Sequence, residues 1–237
     1  MVKRRKSLIL SGLLLALCGN AAAKMDPDNP TCPANPDWSA NRTMKLTPVN
    51  KDGEIVLLAE GVVDAGLPER LKKALAKNPD ITEIWLRSPG GNAVAGNEAG
   101  LIIRKAAVPM VTRIPAGWTC FSACNFVFMG GRARIIDPGG QFMVHMFTMT
   151  GDRDAIDDTV SEGSDSTIAL IGEIEQESAM LASEDNDFLI RMGVSRKLLT
   201  DIMYKQKAVK TGKNDKSTRR CLTTEEALRY NVANVSG

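Results

Sequence analysis

Between Gly53 and Ile114 short apolar runs alternate with stretches of helical spacing, and this alternation restricts the architecture more than any other feature of the chain. Residues 54–59, Glu-Ile-Val-Leu-Leu-Ala, form a run of strand length. Residues 67–77 place Leu67, Leu71, Ala74 and Leu75 on one helical face. A second strand is predicted over 81–86, with Ile84 and Leu86 on one face and Trp85 on the other. It ends at Ser88-Pro-Gly-Gly91, which neither a strand nor a helix accommodates. A helix over 93–105 and a strand over 109–114 follow. Strand, helix, strand, loop, helix, strand predicts an α/β domain built on right-handed crossovers and a largely parallel sheet.

The remainder extends that pattern. A helix is expected to begin near Cys120, followed by short strands over 133–136 and 141–145. Residues 151–165 read as an acidic loop. Residues 167–192 read as one helix, longer than most globular helices, so part of it projects or packs on a neighbouring subunit. The stretch 205–220 is rich in Lys and Arg and reads as a solvated loop. Residues 223–230 form a last short helix, with Thr223 or Thr224 as cap. The division expected is a leader over 1–23, an irregular arm over 24–52, rich at its start in Pro, Asn and Asp, and one domain over 53–237.

Lys3, Arg4, Arg5 and Lys6 precede an apolar stretch over 8–18 that is too short for a stable bilayer anchor, and Asn20-Ala-Ala-Ala23 supplies a cleavage site. We read 1–23 as a signal peptide for export to the periplasm or beyond, with no stable membrane anchor after cleavage. The alternatives are an uncleaved anchor or a lipoprotein built on Cys18, where Leu17 is bulky for the residue before a lipidated cysteine. Taking those four cations from the 30 Lys+Arg leaves 26 against 28 Asp+Glu, a net charge of −2. A near-neutral chain of this kind has no electrostatic footprint for nucleic acid. With 43% hydrophobic residues it has ample material for a core and is not a disordered tail.

Four cysteines remain beyond the leader: Cys32, Cys120, Cys124 and Cys221. An even number in an exported chain predicts two disulfides. Cys120 and Cys124, read as lying within one helix, are awkward to join, so each is expected to reach Cys32 or Cys221. One histidine and no Cys-x-x-Cys spacing argue against a zinc site, and no metal or cofactor is expected.

Three segments carry candidate chemistry. Ser88-Pro-Gly-Gly91 lies at the C-terminal end of a parallel strand, where open α/β sheets bind ligands, and adjacent glycines let backbone N–H groups approach closely. In Gly117-Trp-Thr-Cys-Phe-Ser-Ala-Cys124, Ser122 falls at the start of an apolar helix, with the Ala123 N–H beside it. Such a serine either caps the helix or attacks a substrate. His145, the only histidine, sits on the apolar strand Phe142-Met-Val-His-Met-Phe147; alone it reads as a hydrogen-bonded core residue.

As an ordered set, Leu86-Arg-Ser-Pro-Gly-Gly91, residues 116–124, Gly140-Gln-Phe-Met-Val-His145 and residues 222–230 resemble the proteolytic subunit of the Clp protease, in the fold group shared with crotonases, and most of all its exported bacterial relatives. The resemblance implies a repeated β-β-α spiral with a largely parallel sheet, and a handle-type helix over 167–192. It implies Ser122 as nucleophile, His145 as general base, and the N–H groups of Gly91 and Ala123 as the oxyanion hole. The third member departs from the family, because Arg219 occupies the position of its Asp. Asp215 is the carboxylate put forward instead, with Asp201 as the alternative.

Two functional classes follow. One is an exported, ATP-independent serine peptidase acting on peptides or unfolded protein segments as a homo-oligomer. The other is a non-catalytic oligomeric binding or assembly protein that kept the fold with a degenerate triad. A crotonase-like acyl-CoA enzyme fits poorly, since the matched segments lack an acidic pair. A Ser-Lys dyad also fits poorly, since those segments hold no Lys.

Overall fold

A computed structural model describes residues 24–27, 29–148, 150, 153–212, 215 and 217–237. The leader read over 1–23 lies outside them. In chain order the elements are β1 (Met25–Asp26), β2 (Asn29–Pro33), β3 (Lys45–Lys51), β4 (Glu54–Glu60), α1 (Leu67–Lys77), β5 (Glu83–Arg87), α2 (Ala93–Arg104), β6 (Val111–Ile114), β7 (Thr119–Phe121), α3 (Cys124–Met129), β8 (Ala133–Ile136), β9 (Gln141–His145), α4 (Arg153–Glu162), α5 (Ser164–Met192), β10 (Arg219–Cys221), α6 (Thr224–Arg229) and β11 (Val235–Ser236). A π-helical turn over Leu198–Ile202 and a 3-10 turn over Met203–Lys205 follow α5.

The fold is mixed α/β. Its main sheet runs β11-β8-β6-β5-β4-β3, parallel throughout except where β3 joins β4 antiparallel. Beside it stands a smaller sheet, β10-β9-β7, in which β7 and β9 are parallel and β10 antiparallel. The expected alternation and largely parallel sheet hold because the inner strands bury side chains at regular intervals: Ile84 and Leu86 of β5 are fully buried. Helices α1 and α2 bury Leu67, Leu71, Ala99 and Ile103 in the same core. Pro at the first turn of α1 and the Asn92 side chain accepting from the Ala95 N–H at α2 mark their starts.

Three local expectations are corrected. Residues 24–52 are not an irregular arm: β3 is a full edge strand, and β1 and β2 form a hairpin covering β10. The period-2 signal of β3 is weak because this edge strand exposes most of its residues. The acidic 151–165 stretch carries α4, none of whose residues is buried, so no apolar stripe announced it. The helix placed near Cys120 begins at Cys124, after the short strand β7.

A buried arginine locks the C-terminal end. Arg134 of β8 is 1% exposed and donates to the carbonyls of Val232 (2.7 Å), Gly131 (2.9 Å) and Asn231 (2.7 Å). Burial, then the Arg104 charge, lowers its pKa to about 10, so the guanidinium stays charged at neutral pH. It ties the segment after α6 to the main sheet. At the last helix Thr223 and Glu226 form a capping box.

Candidate active site

The site is assembled where the chain leaves the main sheet and enters the smaller one. After β5 the Ser88 N–H donates to the Thr119 carbonyl (2.9 Å), and the Ser88 carbonyl accepts from the Phe121 N–H (3.0 Å). The strand end is thereby stitched to β7. Gly90 and Gly91 then turn with φ of +84° and +146°, a region that favours glycine. The Gly90 carbonyl accepts from the Val63 N–H (2.8 Å). A methyl group on Gly90 would stand 2.5 Å from the Ser122 Cβ, so the twin-glycine loop lies directly against the serine.

Ser122 occupies the sharp turn between β7 and α3, with φ of +56°. A non-glycine residue in that region is uncommon and needs its surroundings to hold it. The holding device is a Cys120–Cys124 disulfide, with a Cα–Cα distance of 5.4 Å and both residues fully buried. This corrects the expectation that each cysteine reaches a distant partner. Cys120 is on a strand and Cys124 opens a helix, so the turn at Ser122 brings close two Cα atoms that a continuous helix would hold in unsuitable directions. The second disulfide joins Cys32 to Cys221, Cα–Cα 5.1 Å, and fastens the N-terminal hairpin over β10.

His145 closes β9. Its Nε2 lies 2.7 Å from the Ser122 Oγ, so the helix-start hydroxyl and the sole imidazole meet. The ring is clasped by aromatics: Phe121 lies 4.9 Å away centroid to centroid and is itself stacked under Trp38 at 5.8 Å. Burial lowers the pKa of His145 below its ordinary 6.5, and a backbone hydrogen bond at Met146 opposes that in part. Nε2 can accept from the hydroxyl when the ring proton is carried on Nδ1.

The N–H groups of Gly91 and Ala123 have no hydrogen-bond partner among the described residues, and both residues line the same cavity as Ser122 and His145. That cavity has a volume of about 490 Å³ and is walled by apolar residues including Phe126, Met129, Leu181 and Leu198. A hydroxyl, a neutral imidazole and two free N–H groups around one pocket are the parts that acyl transfer needs.

No acid stands behind the imidazole among the described residues. Asp215 accepts from the Thr211 N–H (2.9 Å) and hydroxyl (2.6 Å) and from the Ser217 N–H (2.9 Å) and hydroxyl (2.5 Å), with Lys207 Nζ at 3.5 Å. Those bonds hold its carboxyl far below the usual carboxylate range, the Ser217 hydroxyl first among them. It shares a second cavity with His145, yet no hydrogen bond joins the two. Asp201 sits on the π-helical turn, accepts from the Thr200 hydroxyl (3.2 Å), and likewise makes no bond to His145. The cross-strand partner of His145 is Arg219, whose Nε is buried without a hydrogen-bond partner.

One lining residue escaped the sequence reading. Asp185 of α5 is 7% exposed and belongs to the cavity beside Ser122. Its signal was a carboxylate within the apolar stripe Leu181, Phe188, Leu189 and Met192 of that helix.

No protein-family model matches the chain, and no curated protein is similar to it in sequence. Its fold is similar to that of a mutant ClpP1 from Listeria monocytogenes, with a TM-score of 0.52 over 77% of this chain and 90% of that one, at 16% identity. A mutant of the 1510-N membrane-bound stomatin-specific protease aligns over 77% of each chain with a TM-score of 0.47, at 16% identity. The chain therefore has a ClpP-like fold.

Proposed function

We propose that this protein is a serine peptidase that cleaves peptides or unfolded protein segments without ATP. The observation that carries this reading is the 2.7 Å approach of His145 Nε2 to Ser122 Oγ in the wall of a largely apolar cavity. His145 takes the hydroxyl proton as Ser122 attacks the scissile carbonyl. The oxyanion then gains hydrogen bonds from the Gly91 and Ala123 N–H groups, and His145 returns the proton to the leaving amine. Water repeats the sequence on the acyl-enzyme. Burial keeps His145 in the neutral form that can accept the proton, but it also makes the ring a weaker base, and the imidazolium that results has no carboxylate among the described residues to stabilise it. In triad hydrolases the loss of that carboxylate costs on the order of ten-thousand-fold in turnover, so slow hydrolysis is expected.

Within the same proposal the protein is bacterial and exported to the periplasm or beyond, loses residues 1–23, and assembles as a homo-oligomer. The two disulfides favour an oxidising compartment. Ile168 and Ile171 of α5, 67% and 50% exposed, favour a neighbouring subunit along that helix.

The test is labelling of the purified protein by a fluorophosphonate. Ser122 is expected to be modified, and Ser122→Ala to abolish the modification. A folded wild-type protein that resists the probe would sink the peptidase reading. Arg219 opposite His145 motivates the second reading, a binding or assembly protein with a degenerate triad. That reading requires partner capture to survive Ser122→Ala unchanged.

A further inference from the structure

The cavity beside Ser122 is largely apolar, with polar groups from Asn125, Thr148, Ser178 and Tyr204, and it holds one buried carboxylate that has no cation among the described residues. Asp185 makes no ion pair among the described residues. Among the described residues its side chain accepts one hydrogen bond, a long one from Asn97 Nδ2, at 3.5 Å. Asn97 in turn has a buried Oδ1 without any donor. This corner thus offers more acceptors than donors. The other charged or titratable groups around Asp185 supply none of the missing positive charge: Glu184 is acidic, Tyr204 is neutral, and His145 across the cavity is held neutral by burial.

A desolvated carboxylate has two remedies, a proton or a cation. Burial raises Asp185 to about 6, with the Asn97 hydrogen bond opposing and the Glu184 charge adding to the rise. The burial of Asp185 in the cavity wall and its lack of a cationic partner among the described residues point to a cation brought by a ligand. The cavity is of a size to take a long side chain, and its apolar walls suit the methylene stem of a lysine or arginine while the head reaches the carboxylate.

We propose that Asp185 makes this cavity a subsite for a cationic side chain, so that the peptides accepted carry lysine or arginine in the position seated beside Ser122. The inference rests on the reading of the cavity as a peptide site. It gives that reading a substrate class. Asp185 is a specificity-determining residue that stabilises the ammonium or guanidinium head. The reacting atoms are left to Ser122 and His145.

The experiment uses the full-length protein carrying Ser122→Ala, which separates recognition from turnover. Fluorescent peptides identical except for one residue, lysine, arginine or norleucine, are compared by anisotropy at pH 7.5. Norleucine keeps the stem and removes the charge. A cationic peptide is expected to bind at least about tenfold more tightly than the norleucine peptide, and Asp185→Asn to bring them to parity. The lysine and arginine arms distinguish the two cations. Equal or tighter binding of norleucine, or no binding by any of the peptides, would overturn the inference. So would a lysine preference that survives Asp185→Asn. Sedimentation of the same Asp185→Asn protein reads the competing role: an altered assembly with unaltered peptide preference would assign Asp185 to a subunit contact. Should Asp185→Asn fail to fold, the lysine-to-norleucine ratio of the parent protein decides alone. Fluorophosphonate labelling of the wild type is scored separately, so a protein that binds lysine peptides but resists the probe refutes the peptidase and keeps the subsite.

Discussion

The two sides of His145 are built differently. On the Ser122 side the parts are closely constrained: a disulfide spans the turn, the glycine loop lies against the serine Cβ, and Gly91 and Ala123, whose N–H groups have no partner among the described residues, line the same cavity. On the opposite side stand Phe121, Arg219 and a carboxylate, Asp215, committed to its own loop. Pre-organisation of the attacking side and its absence behind the base are separable properties. A fold can hold a nucleophile in place while leaving its base without the anion that would strengthen it.

The contrast is open to attack from both sides. The largest effect is expected from Gly90→Ala, whose methyl group would meet the Phe121 carbonyl and the Ser122 Cβ, both at 2.5 Å, from a backbone that disfavours any side chain. Labelling of Ser122 is expected to fall on the order of a hundredfold, with the circular dichroism spectrum kept, as for loss of one oxyanion contact. Labelling at the wild-type rate would show that the glycine loop does not shape the site.

On the other side, Arg219→Asp places a carboxylate across the strand pair from His145, since directly opposed residues share a face. We expect a gain of about tenfold in the labelling rate, the reverse of what removing a triad acid does. In the wild type, burial puts the acid limb of the pH–rate profile below pH 6.5: reactivity needs neutral His145, and a depressed pKa keeps it neutral further into acid. Arg219→Asp should raise that limb, because a nearby anion favours the imidazolium. An unmoved limb would mean that the new carboxylate does not sense the ring.

The smallest effect concerns the staple. Replacing Cys120 and Cys124 together by serine removes a short covalent loop, worth about 2 kcal/mol in the chain-entropy treatment. Urea denaturation should show that loss, and labelling should fall severalfold as the turn at Ser122 loosens. Unchanged labelling would indicate that packing alone keeps the φ of +56° at Ser122.

Much of this arrangement was readable along the chain. Strands over 133–136 and 141–145 and the helix over 67–77 occur where periodicity puts them, because each is decided by which of its neighbours must be buried. Ser122, His145 and the twin glycines were singled out by residue type and order. The edge strand β3 and helix α4 were missed for one shared reason: neither buries a regular stripe.

What the amino-acid order determined by itself, then, is the alternation that yields a parallel sheet and the set of groups able to do chemistry. Those are local properties, written in spacings of two and of three to four residues. Only the tertiary structure decided which of those groups meet. Whether Cys120 bonds Cys124 turns on one left-handed residue between them. Asp215 is drawn to Thr211 and Ser217 and stays off His145, while Asp185 arrives from a distant helix beside Ser122. Contacts between residues this far apart depend on the paths of every intervening turn, and no pattern within a single segment encodes their sum.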